Sequence, residues 1–75
     1  MLKKRSIKLK GHATSITMED EFWTSLGKIA ERKNTSIQKI IESIDIARTE
    51  SGANLASAIR VYILKTLSAS DKAVE

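Results

Sequence analysis

The stretch ATSITMEDEFW, residues 13–23, changes period in its middle. Ala13, Ser15 and Thr17 alternate with Thr14, Ile16 and Met18, the two-residue period of a strand with unlike faces. Glu19, Asp20 and Glu21 then make an acidic first turn ahead of Phe22 and Trp23, so a helix starts here with Thr17 or Met18 at its head. A short strand thus feeds straight into a helix. The backbone donors and acceptors along that strand need partners, and no neighbouring segment reads as a hairpin mate joined by a tight turn.

The preceding residues, RSIKLKG at 5–11, also alternate, with Ile7 and Leu9 apolar against Ser6, Lys8 and Lys10. Their apolar positions are odd-numbered, whereas those of the later strand are even-numbered. The parity flips across Gly11 and His12, and the glycine reads as a bulge or bend between two extended pieces. His12 itself reads as a turn residue, since no second histidine and no cysteine exists to complete a site.

Downstream, Phe22, Leu26, Ile29 and Ala30 recur at three- and four-residue steps, with Trp23 widening the stripe, and predict an amphipathic helix to about Lys33. Trp23 belongs to a core or an interface rather than to a base-stacking platform. The three acids serve the helix dipole, and Lys28, Arg32 and Lys33 form a solvated face. Asn34 suits a left-handed helix end. A second helix follows, capped by Thr35 or Ser36, with Thr35 and Gln38 spaced as a capping box and Ile37, Ile40, Ile41 and Ile44 as its apolar stripe. It is expected to end near Glu50, with a break at Gly52. Asn54 then caps a third helix bearing Leu55, Ala58, Ile59, Tyr62, Ile63 and Leu67, widened by Val61 and Leu64.

Seventy-five residues make one domain, and a chain this short buries only about 60% of its unfolded surface. Without cysteine and with a single histidine, neither a disulfide framework nor a Cys/His zinc site is available, which leaves oligomerisation as the source of further burial. No long apolar run suggests a leader or a membrane span, so a cytoplasmic protein is expected. Residues 1–17 hold five basic side chains and no acid, against eight basic and nine acidic in the remainder. A positive field therefore sits beside the strand, the footprint of a polyanion-binding edge.

Both needs are met if two copies pair their strands about a twofold axis. Thr14, Ile16 and Met18 then close over a shared core, Ala13, Ser15 and Thr17 face outward, and the resulting antiparallel ribbon is narrow enough for the major groove of DNA. A pocket for paired catalytic carboxylates is not expected in so small a domain.

Three motifs occur in order: RSIKLKGHATSI at 5–16, EDEFW at 19–23 and NLASAIRV at 54–61. On these the chain, over about residues 5–67, resembles the ribbon-helix-helix proteins, within them a subgroup of short bacterial proteins with an additional third helix. The resemblance implies a mainly α fold with one N-terminal strand pairing across a twofold dimer and about three helices. It also implies a homodimer bound to double-stranded DNA, a repressor-like transcriptional regulator without catalytic residues, cofactor or metal. Ala13, Ser15 and Thr17 are the expected base contacts. Arg5, Lys8, Lys10 and Lys39 are expected on the DNA backbone, with Thr35, Ser36 and Ile37 donating amides to a phosphate. Thr14, Ile16, Met18, Phe22, Trp23, Leu26, Ile37, Ile40, Ile41 and Ile44 are expected in a dimer core. The organisation anticipated is a basic, partly extended arm at 1–12, the domain at 13–67 and a tail at 68–75. The alternative function is a small dimeric interaction module, antitoxin-like or adaptor, with a protein partner on the third helix and a ribbon that serves only dimerisation.

Overall fold

The computed structural model describes residues 1–48 and 54–74, with side chains as far as Ala69. The chain runs β1 (Leu2–Leu9), β2 (His12–Glu19), α1 (Asp20–Arg32), α2 (Ile37–Arg48) and α3 (Leu55–Val74). The end of α2 near Glu50 and the break at Gly52 lie outside the described residues. This is the mainly α ribbon-helix-helix architecture expected, two antiparallel strands followed by three helices.

The strand's partner differs from expectation. Residues 12–19 pair with β1 of the same chain, in antiparallel register from Leu2 opposite Glu19 to Leu9 opposite His12. Lys10 and Gly11 form the connection, both left-handed at φ 53° and 81°. Positive φ at both central residues is what a type I′ hairpin turn requires, because its twist matches that of the strands it joins. The parity flip across Gly11 is therefore the mark of a two-residue hairpin and not of a bulge: closing a strand pair over two residues pairs odd positions with even ones. The segment expected as a basic arm is a full strand, and residues 68–74, expected as a tail, continue the backbone of α3.

Opposed residues share a face, so the register sorts the hairpin into two. Ile7, Leu9, Thr14, Ile16 and Met18 lie on the inner face; Leu9, Ile16 and Met18 are buried, while Ile7 and Thr14 are half-buried. The helices close over them. Met18, Leu26, Ile29, Ile41, Ile59 and Ile63 are the largest fully buried side chains, each contributing about 1.5–3 kcal/mol by leaving water. The residues anticipated for a dimer core thus pack within one chain, with Trp23, Ile40 and Ile44 buried and Phe22 and Ile37 half-buried. Unmet burial is the reason to expect an obligate dimer, and β1 and α3 remove it: the first satisfies the inner edge of β2, and the second supplies Leu55, Ile59 and Ile63 to the core.

Helix ends follow local chemistry. Neither Thr17 nor Met18 heads α1; Glu19 does, in extended conformation and without a side-chain cap, because the hairpin ladder continues to that point and the Asp20 amide donates to the Met1 carbonyl at 3.0 Å. At the other end Asn34 is left-handed at φ 54°. The Thr35 amide reaches the Ala30 carbonyl at 2.9 Å and the Asn34 amide the Glu31 carbonyl at 3.1 Å, a Schellman closure. Ser36, not Thr35, caps α2, its Oγ accepting from the Lys39 amide at 3.2 Å, so the Thr35–Gln38 box is not the one used. Asn54 caps α3 as expected, Oδ1 accepting from the Ser57 amide at 3.3 Å. Leu67, placed by its spacing on the buried stripe of α3, is exposed.

Candidate nucleic-acid interface

The outer face of the hairpin carries Leu2 opposite Glu19 at its open end and then three further cross-strand pairs: Lys4 with Thr17, Ser6 with Ser15 and Lys8 with Ala13. All six residues of these three pairs are exposed. Ala13, Ser15 and Thr17, the side chains expected to meet bases, therefore do face solvent, but they share the surface with two lysines and a serine from β1. Lys4 and Ser6 are not among the site residues expected from sequence. Their signal lies in the odd-to-even pairing that a two-residue turn imposes.

The other N-terminal cations are placed differently. Arg5 lies on the opposite face with its guanidinium 5.0 Å from the centre of the Trp23 ring, a cation–π contact that fixes its direction. Lys10 sits in the turn. Lys8 is on the outer strand face beside Ala13 rather than on a free arm.

The hairpin is tied to the helices at its open end. The Trp23 indole donates from Nε1 to the Lys3 carbonyl at 2.8 Å, which satisfies a buried donor and holds β1 against α1. Glu19 accepts at Oε1 from Arg60 of α3, at 3.2 Å from Nε and 3.0 Å from the terminal nitrogen, while the Arg60 guanidinium lies 5.6 Å from the Phe22 ring. The backbone amide of Glu19 and then the Arg60 hydrogen bond hold the carboxyl below its usual range. The one acid of β2 is thereby ionised and matched by a cation, next to an otherwise uncharged strand.

At the start of α2 the expected phosphate clamp is only partly available. The Thr35 amide is already engaged with Ala30, which removes it as a donor to a phosphate. Ser36 is exposed with its hydroxyl used as cap, and the Ile37 amide stands in the first turn, where no intrahelical acceptor exists for it. An open groove of about 510 Å³ adjoins this end, lined by the side chains of Lys33, Thr35, Lys39, Ser43 and Tyr62 among others. Lys33 stands 5.5 Å from the Tyr62 ring centre. Among the described residues no cluster of His, Cys, Asp or Glu could hold a metal ion, and no helix is long and apolar enough to cross a membrane.

Among solved structures, an uncharacterized protein from Bordetella pertussis Tohama I is similar, with a TM-score of 0.84 and 32% identity over 97% of this chain. This chain spans 61% of the length of that one. No curated protein matches. Residues 2–67 match the family described as the ribbon-helix-helix domain, whose members are in general non-enzymatic DNA-binding regulators that typically dimerise. The match begins at β1 and extends through most of α3, and so takes in the segment 2–12 expected as an arm ahead of the domain: the chain belongs to the ribbon-helix-helix family.

Proposed function

We propose that this protein is a homodimeric, repressor-like transcriptional regulator that works in the cytoplasm by inserting the outer face of its β1–β2 hairpin into the major groove of double-stranded DNA. The observation that carries this reading is the middle of that face, two lysines among four small residues, all six exposed, with the acid of the face, Glu19, at the open end and paired with Arg60. Strands lie about 4.8 Å apart, so a two-stranded ribbon fits a groove about 12 Å wide. The central Ser6–Ser15 pair lets the backbone approach the base edges closely. Lys10 and Lys39, with the Ile37 amide at the start of α2, then supply sequence-independent contacts to phosphates, whereas Arg5, expected there from sequence, is turned to the opposite face. The test is an electrophoretic mobility shift with duplex fragments at two salt concentrations, paired with sedimentation of the free protein. Retardation that weakens as salt rises, by a dimer, is expected.

A second reading is favoured by α3, where Val61, Leu64 and Leu67 are exposed beside Phe22 in an apolar groove of about 280 Å³. On that reading the chain is an interaction module that holds a protein partner on α3. Absence of DNA retardation at low salt, from a protein that is folded and dimeric, would select it.

A further inference from the structure

We infer that Lys4 and Lys8 of β1 read base identity and that they select guanines, an inference that rests on the DNA-binding reading above. The register sets Lys4 beside Thr17 and Lys8 beside Ala13 on the exposed face, with the small Ser6–Ser15 pair between them. Neither lysine has an ion-pair partner among the described residues. The β2 side chains beside them, Ala13, Ser15 and Thr17, end at Cβ or one bond beyond it, and the longer Glu19 at the open end is paired with Arg60. Their hydroxyls can bond to several bases and so discriminate poorly. Lysine adds a four-carbon stem and an ammonium that only donates, so it meets its best match at a base edge that offers only acceptors. In the major groove guanine offers two such acceptors side by side, O6 and N7; thymine offers O4 alone beside its methyl group, adenine places a donor beside its N7, and cytosine presents a donor.

The geometry also sets a spacing. Four residues of strand advance about 13 Å, which matches about three to four base pairs at a rise of about 3.4 Å. Arg5 cannot share this role, since its guanidinium is held over Trp23 on the opposite face. Lys10, in the turn, lies beyond the paired strands.

The experiment selects preferred duplexes for the full chain from a random library, then replaces each guanine of the selected site singly with 7-deazaguanine, which lacks the N7 acceptor. In each half-site of the dimer two guanines about three to four base pairs apart are expected at which this replacement weakens binding by about fivefold or more, the lower end of one good base contact. Lys4→Ala is expected to abolish the effect at one guanine of each half-site and Lys8→Ala at the other, with circular dichroism unchanged because both side chains are exposed. If either variant instead weakens binding to all sequences alike, lowers the salt slope by about one unit and keeps both guanine effects, that lysine contacts phosphate and the inference fails while DNA binding stands. A selected site without guanine sensitivity overturns it as well. A parent chain that retards no duplex removes the DNA-binding reading, and the inference with it.

Discussion

The two faces of the hairpin are built from the same two strands and have opposite fates. On the inner face Ile16 is 3% exposed and Met18 0%, against the helices; on the outer face their neighbours Ser15 and Thr17 are open to solvent. Adjacent residues differ in surroundings because a strand turns its side chains over at every step. The division also shows where stability and recognition are separated. Inner residues hold the ribbon on its helices, while outer residues are left without a packing role and can be chosen for what they bind. Substitution one residue apart should therefore give unlike results.

The largest effect is expected from Ile16→Asp, which puts a carboxylate into the core at a cost of several kcal/mol against a total stability of about 5–15 kcal/mol. Far-ultraviolet circular dichroism should show an unfolded chain. A folded protein would mean that the inner face is not closed. Next comes Gly11→Ala. Nothing lies within 4 Å of the added methyl, so the cost is that of a side chain at φ 81°, about 1–2 kcal/mol, read from the urea midpoint. No loss at all would argue that the turn relaxes to another form.

A smaller effect comes from the junction of hairpin and helices. Because Glu19 titrates below its usual range in the folded chain, its contribution is present above the unfolded value near 4.5 and is lost as pH falls through the lowered folded value. Glu19→Gln should remove that contribution at neutral pH, a small one since the pair is solvent-exposed, and flatten the acid limb of the stability curve by the same amount. An unaltered acid limb would show that the Arg60 pair does not persist in solution. The smallest effect is expected from Ser15→Ala with Thr17→Ala, within about 0.5 kcal/mol in stability. A large loss would contradict the division of the two faces.

Much of this is legible from spacing alone. The alternation of 13–18 separates exposed from buried positions, the steps through Leu26 and Ile29 mark the inner side of α1, and Asn34 and Asn54 stand at the helix ends where their chemistry puts them. The hairpin is not legible, for a physical reason. A type I′ turn is announced by two residues that both tolerate positive φ, such as Asn-Gly, and here the first is Lys10, whose side chain disfavours that region. Only half the signal is present, and the flipped parity on either side reads equally well as a bend. Without β1 as a strand, Lys4 and Ser6 have no face to belong to. The phosphate clamp fails on Thr35 for a different reason. Which amide at a helix junction remains unused depends on how the previous helix closes, and the Schellman bond to Ala30 consumes that one.

The two-residue turn also bears on how the molecule comes to be folded. Leu9 and His12 are already neighbours along the chain, so zipping from the turn outward needs little loop closure and proceeds on the microsecond scale of hairpins. A ribbon shared between two chains would instead wait for a collision. The refolding rate here should not change with protein concentration, and the single tryptophan, Trp23, gives the signal by which to follow it, since its indole is buried only when β1 has reached α1.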